Sequence, residues 1–426
     1  MSSEDWPEVR LGDLVDERGI SYGIVQPGSA CEDGVPVIRV NNLQDGRIVT
    51  DDVKRVAPDV ESKYGRTRLR GGEVLVSLVG SLGETAIVPP ALRGWNVARA
   101  VAVVPVRDDI GADWVAYALQ SPGLQHRMRT RATTTVQATL NLQDVRELPI
   151  PLPDRSQRDR ATALLRALDD KIELNHRMNH TLESIARAIF KSWFVDFDPV
   201  RKKMEGGEVG LPPDLVALFP STMQTSSLGS IPEGWRVVPI GEAIGVVGGS
   251  TPSRFQPEFW DGDISFATPK DLAGLHGPFL RQTARRITER GARSISSGVL
   301  SPGTVLLSSR APVGYVAISM IPVTVNQGFI AMPAGGELPS SYVYFWLRAN
   351  MDAIIARANG TTFLEVSKRS FRPLPVLVPP ASVLKAYDIL VQPVLQRLAL
   401  ALEEAEQLAE LRDQLLPRLV GGDGHG

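Results

Sequence analysis

The feature that most constrains this chain is that it is written twice. Trp6-Pro-Glu-Val9-Arg-Leu11-Gly12-Asp13 returns as Trp235-Arg-Val-Val238-Pro-Ile240-Gly241-Glu242, 229 residues later. Gly72-Glu-Val74-Leu75-Val76-Ser77, continuing to Gly83, returns as Gly303-Thr-Val305-Leu306-Leu307-Ser308, continuing to Gly314. Trp114-Val115-Ala-Tyr117-Ala-Leu119 matches Tyr342-Val343-Tyr-Phe345-Trp-Leu347, and Leu148-Pro149-Ile150-Pro151 matches Leu374-Pro375-Val376-Leu377. The offset drifts only from 226 to 231, as small loop insertions produce. A period this long in a chain of 426 residues means two related units, each large enough for its own core.

The duplication continues into helical sequence. At a constant offset of 226, Leu164, Leu168, Ile172, Leu182, Ile185, Ile189 and Trp193 fall on Leu390, Val394, Leu398, Leu408, Leu411, Leu415 and Leu419. Leu165, Leu168, Ile172, Asn175, Asn179, Leu182, Ala186, Ile189 and Trp193 recur at alternating spacings of three and four, a coiled-coil seam. Asn175 and Asn179 interrupt it, either as buried register-setting amides or at the wet edge of the seam. The second helix carries a leucine stripe from Leu395 to Leu419. Burying one stripe against the other is the economical solution. A helix of about 40 residues is about 60 Å long at about 1.5 Å per residue.

Within the units, short β-rich runs (Val74–Val79, Val101–Val106, Val305–Ser308, Phe329–Met332) alternate with Gly/Pro turns and helical stretches, so the fold is mixed α/β. The expected organisation is a first unit at 1–152, a central helix at 153–198 and a linker at 199–230. A second unit at 231–378, a C-terminal helix at 379–420 and a tail at 421–426 complete it. Pro199, Pro212, Pro213 and Pro220, with four glycines, rule out a continuous helix across the linker.

Composition excludes several classes. No run of about 18 apolar residues exists for a membrane span. The first residues have no basic-then-apolar pattern, so no secretory signal is expected. One cysteine, Cys31, and five histidines exclude a disulfide framework and a zinc-finger class, and a cytoplasmic location is expected. The net charge of −2 does not by itself favour nucleic acid, although 37 of the 46 basic residues are arginine, the planar donor suited to phosphate and guanine. No amino-methyltransferase tetrapeptide, phosphate-binding loop or nuclease carboxylate–lysine cluster is present, so no catalytic residue is assigned. His176 and His180, at i and i+4, lack a third ligand, and no metal site is assigned.

The run Leu168-Asp169-Asp170-Lys171-Ile172-Glu-Leu-Asn175-His-Arg-Met178-Asn179, with Phe190-Lys-Ser-Trp193-Phe194-Val195-Asp196-Phe197-Asp198-Pro199, resembles the central region of type I restriction–modification specificity subunits. Ile231-Pro232-Glu233-Gly234-Trp235, Gly248-Gly249-Ser250-Thr251-Pro252-Ser253, Thr268-Pro269-Lys270-Asp271-Leu272, Ser308-Ser309-Arg310 and Asn326-Gln327-Gly328 resemble that family's target recognition domains. The ending Leu411-Arg412-Asp413-Gln414-Leu415-Leu416-Pro417-Arg418-Leu419 is similar to its C-terminal helix. The first unit departs from the pattern, with Ala98-Arg99-Ala100 and Leu78-Val79 where the second has Asn326-Gln327-Gly328 and Ser309-Arg310.

The resemblance implies two target recognition domains joined by two long helices as an antiparallel coiled coil, a pseudo-twofold internal repeat. Each domain would read half of an asymmetric bipartite site on double-stranded DNA. The helices would set the gap and dock two methyltransferase subunits, with restriction/translocase subunits completing the complex. The chain itself would be non-catalytic and hold no cofactor. S-adenosylmethionine would belong to the methyltransferase, and ATP and Mg2+ to the nuclease-motor partner. A duplicated protein-interaction scaffold without DNA binding is the alternative.

Direct base readout needs Arg, Lys, Asn, Gln, Ser or Thr on loops. The candidates in unit one are Arg39, Asn41, Asn42, Arg68, Arg129, Arg131, Thr134 and Gln137. In unit two they are Ser253, Arg254, Lys270, Ser309, Arg310, Asn359, Thr361, Thr362 and Lys368. An arginine followed by a threonine-rich loop occurs at the same place in both repeats, Arg129 with Thr133 and Thr134, and Arg357 with Thr361 and Thr362. For spacing and partner docking the candidates are Leu168, Ile172, Asn175, Leu182, Ile189, Trp193, Leu398, Leu408 and Leu415.

Overall fold

The structure, a computed structural model, describes residues 6–134, 138–359 and 364–421. It divides into two compact units, residues 1–172 with 406–426, and residues 173–405.

In the first unit, Glu8–Arg10 pairs antiparallel with Pro149–Pro151, so the start and end of the globular part close on each other. A four-stranded sheet runs in the order Ser21–Tyr22, Val101–Val104, Val74–Ser77, Thr85–Ile87. A three-stranded sheet runs Lys54–Val56, Val35–Ile38, Asn96–Val97. Val74–Ser77 and Val101–Val104 are buried at every position, which explains why they read as unbroken apolar runs. The two-residue period of a strand sorts their side chains. Val74, Val76, Ala102 and Val104 face a core shared with the helix Ala112–Gln120, whereas Leu75, Val101 and Val103 face a second core with Ile38 and Val97. Trp114 locks the helix down, its Nε1 donating to the Pro151 carbonyl at 2.8 Å.

The second unit repeats this plan. Arg236–Pro239 pairs with Pro375–Val378. A five-stranded sheet runs Val247–Gly248, Phe329–Met332, Val305–Ser309, Val313–Ser319, Phe279–Leu280. A three-stranded sheet runs Arg285–Ile287, Trp260–Ala267, Val323–Val325. The same alternation places Val305, Leu307, Ile330 and Met332 on one core and Leu306, Ala331 and Ala317 on another. Residues 199–230 are more than a connector. Val200 and Phe219 join the core of this unit, and the hairpin of Met223–Ser226 with Gly229–Pro232 leads into Trp235.

Two helices of 40 residues each, Arg155–Phe194 and Ala381–Val420, carry the repeated leucine pattern. The expected division set them apart from the globular units, but each is shared between the two units because its apolar side completes their cores. In unit one, Ala161 and Leu165 share a core with Leu416 and Val420, and Arg412 Nη1 meets Asp169 Oδ1 at 2.8 Å. In unit two, Ala186, Phe190 and Trp193 share a core with Val391, Leu395, Leu398 and Leu402. There Asn175 Nδ2 donates to Glu404 Oε2 at 3.1 Å and Met178 meets Arg397, so the segments run antiparallel. Asn175 and Asn179 are buried within the seam rather than at a wet edge. Neither Asn179 amide atom has a hydrogen-bond partner among the described residues. Among the described residues no helix is long and apolar enough to cross a membrane.

Candidate nucleic-acid interface

In unit two, five chain segments meet at one edge of the sheets. Gly249 starts the first. A Cβ there would lie 1.7 Å from the Val325 carbonyl oxygen, so only glycine allows the backbones to touch. Two residues on, Thr251 Oγ1 donates to Gln327 Oε1 at 2.6 Å. Gly328 N donates to Asn326 Oδ1, and Ser309 N to the Gly328 carbonyl, both at 2.8 Å. Val366 N donates to the Ser309 carbonyl at 2.9 Å, while Asn359 and Glu365 exchange backbone hydrogen bonds. Lys368 lies against Gly248. Thr268 and Asp271 form a capping box that turns the chain sharply and leaves Lys270 exposed on its first turn.

This edge brings together most of the unit-two candidates. Ser253, Arg254, Lys270, Asn359 and Lys368 are exposed, and Arg310 is half-buried, 3.7 Å from Glu365. Ser309 is not available to a ligand: it is buried in its strand. Thr361 and Thr362 lie outside the described residues.

Unit one builds the same edge with different side chains. A Cβ on Gly23 would lie 1.8 Å from the Val97 carbonyl oxygen, the counterpart of the Gly249–Val325 contact. Arg99 N donates to the Ile24 carbonyl at 2.9 Å, leaving the Arg99 side chain exposed where unit two has Gln327. Asn42 caps the turn after Arg39, accepting from Arg39 N at 2.9 Å and donating to the Val49 carbonyl at 3.0 Å. It is therefore buried and committed, and its neighbour Asn41 is the exposed residue, at the position of Lys270. Arg39 is held by Asp52 at 2.9 Å.

The remaining unit-one candidates have other surroundings. Arg68 grips the buried carboxylate of Glu61, Nε to Oε1 at 2.8 Å, and Asn96 adds a bond at 2.9 Å. Hydrogen bonding from Arg68 holds the Glu61 carboxyl below its ordinary range against the opposing effect of burial. Arg129 lines a cavity of about 360 Å³ with Asp45, Glu84 and Arg412. Burial first, then Asp45, pushes the Glu84 carboxyl up. Arg131 is exposed, its guanidinium 3.3 Å from the Glu147 carbonyl. Thr134 ends the short strand Thr133–Thr134, and Gln137 lies outside the described residues.

Of the helix candidates, Leu168, Ile172, Asn175 and Leu398 are buried, and Leu182, Ile189, Leu408 and Leu415 are partly so. Trp193 is enclosed in the core of unit two, edge-on to Phe219 at 5.0 Å, and cannot meet a partner. Three other large apolar residues are exposed on the first helix, Leu164, Leu174 and Ile185. Each has an exposed counterpart at the same repeat position of the second, Leu390, Leu400 and Leu411. The His176 ring packs 4.6 Å from that of His276. Among the described residues no group of three or more His, Cys, Asp or Glu side chains could hold a metal ion.

Arg99, Thr251, Gln327 and Phe255 of this edge were not among the sequence candidates. The repeat alignment does carry a signal for one pair, because it sets Arg99 against Gln327.

Fold and edge together define a tandem-duplicated α/β protein whose repeats share a loop scaffold and differ in the side chains they expose. Residues 3–184 and 232–398 match the type I restriction modification DNA specificity domain, and the chain belongs to that family. It is 27% identical over 336 residues to the type I restriction enzyme HindI specificity subunit of Haemophilus influenzae, covering 69% of this chain and 72% of that protein. It is 34% identical over 192 residues to the MjaIX specificity subunit of Methanocaldococcus jannaschii, covering 42% of this chain and 44% of the relative. The S subunit of a type I restriction–modification system from M. genitalium has the same fold, with a TM-score of 0.54 at 16% identity over 98% of this chain and 96% of that one.

Proposed function

We propose that this chain is the DNA sequence-specificity subunit of a type I restriction–modification complex, and that each unit reads one half of an asymmetric bipartite target. The observation that carries this is the edge built twice. Gly23 and Gly249 make the same close approach, while Asn41 faces Lys270 in the alignment and Arg99 faces Gln327. A shared scaffold with different exposed donors suits two different base sequences, since arginine pairs with guanine and glutamine with adenine in the major groove. The exposed cations Arg254, Lys270 and Lys368 suit phosphate contacts that position the unit.

The chain acts without a catalytic centre of its own. The two long helices set the gap between the half-sites as a coiled coil and dock two methyltransferase subunits. Leu164, Leu174 and Ile185 fall within an arc of about 80° at about 100° per residue, and the second helix repeats them. Equivalent apolar faces on equivalent helices suit two copies of one partner. S-adenosylmethionine belongs to that partner. ATP and Mg2+ belong to the restriction/translocase subunits, and the complex works in the cytoplasm.

Binding of the specificity–methyltransferase complex to target duplex across a salt series tests the reading. Affinity should fall steeply and linearly on logarithmic axes, by about 10³-fold or more between 50 and 200 mM salt if six or more phosphates are neutralised. Affinity that is flat with salt would instead favour a protein-binding scaffold.

A further inference from the structure

The loop between Gly249 and Trp260 carries a side chain that the fold does not use. Phe255 is 97% exposed, whereas the next most exposed large apolar residue among those described, Ile389, is 65% exposed. The loop around it is nevertheless held. Its base is pinned by the Gly249–Val325 approach, by buried Pro252 and by the Thr251–Gln327 bond. Its far side is pinned by Trp260, whose Nε1 donates to the Ser253 carbonyl at 3.0 Å. Trp260 packs edge-on against buried Phe266 with ring centroids 5.5 Å apart, and the Arg285 guanidinium sits 3.8 Å over its ring. Ser253 Oγ then accepts from Phe255 N at 3.3 Å. A chain of contacts thus runs from the core to the tip and presents Phe255 to solvent beside exposed Arg254.

We propose that Phe255 is a specificity-determining contact of the second unit, seating its ring on the C5-methyl group of a thymine in the half-site that this unit reads. The inference rests on the DNA-reading function proposed above. The side chains of this edge favour nucleic acid as the occupant: Arg254 beside the ring, and Lys270 and Lys368 elsewhere on the edge, are exposed cations, while the exposed acid of the same loop, Glu258, lies 4.0 Å from Arg290. The thymine methyl is the one apolar group that base pairs display in the major groove, and phenylalanine is among the side chains that meet it. The corresponding stretch of unit one, residues 24–34, contains no aromatic residue and exposes Glu32 and Asp33. The contact therefore belongs to one half of the target only.

The test uses the assembled specificity–methyltransferase complex and its mapped target duplex. Each thymine of the second half-site is replaced in turn by uracil, which lacks only the methyl group. For the wild-type complex, uracil at one position should weaken binding about three- to tenfold, the worth of one or two buried carbons. Phe255→Ala should weaken binding to the thymine duplex by at least as much and be indifferent to uracil at that position. Phe255→Leu should retain part of the discrimination. Uracil in the first half-site should affect both proteins alike. Because Phe255 is 97% exposed, Phe255→Ala should keep the melting temperature of the wild type. Cognate binding unchanged by Phe255→Ala would overturn the inference. So would an undiminished uracil effect in that variant, a second half-site without thymine, or a loss in Phe255→Ala with no uracil effect in the wild type, which would mark a wedge between base steps. A wild-type complex that fails to prefer its target over unrelated duplex would overturn the DNA-reading function, and this inference with it.

Discussion

At the residue scale, the chain keeps a buried polar group that a stability argument alone would remove. Asn179 is 1% exposed on the interhelical seam, with neither amide atom hydrogen-bonded among the described residues. Leaving buried donors and acceptors unpaired costs about 1–3 kcal/mol. Asn179→Leu should therefore raise the melting temperature of the protein, with a gain of about 1–3 kcal/mol in chemical denaturation if the leucine packs well. A neutral or lower stability would mean that a bridging water satisfies the amide. Asparagine at such a site can exclude other registers of a helix pair, so the same variant should lose uniqueness of pairing. The seam was legible residue by residue, because a spacing of three and four needs no knowledge of the partner. Individual surface donors were less legible. Asn42 and Ser309 belong to residue types that read bases, but one is spent on a helical cap and the other on a buried strand, and only the tertiary contacts decide this. Phe255 was not legible for the opposite reason: nothing in the sequence separates an exposed phenylalanine from one in a core.

At the scale of elements, the two long helices use the same leucine-rich pattern for two purposes. One face completes the cores of both units, through residues such as Leu165, Leu398 and Leu416. The other leaves matched residues in solvent, with Leu174 at 58% and Leu400 at 57% exposure. The repeat alignment found both sets and could not separate them, because burial depends on how each helix is turned toward its neighbours. If the exposed set holds two copies of one methyltransferase subunit, Leu174→Glu and Leu400→Glu should each weaken capture of one copy, and the double variant should capture neither. Analytical ultracentrifugation of the assembled complex measures this as a stepwise loss of mass. Burying an unpaired carboxylate should cost each interface at least about tenfold in affinity. Full assembly by the double variant would place docking elsewhere.

At the scale of the molecule, the duplication was the most legible feature, and it ran through both the globular units and the helical segments that complete them. The division between units was less legible. Residues 199–230, rich in proline and glycine, read as a linker, yet Val200 and Phe219 lie in the core of unit two. Each long helix is likewise shared between units instead of standing apart.

The central claim, two reading units of different specificity in one chain, meets its most direct measurement in a methylation map by long-read sequencing of cells with and without this gene, and with residues 1–152 exchanged for those of a relative. The account predicts one bipartite adenine-methylated motif that vanishes with the gene, with one half changed by the exchange and the other half retained. A motif that persists without the gene, a single undivided motif, or an exchange that alters both halves would contradict it.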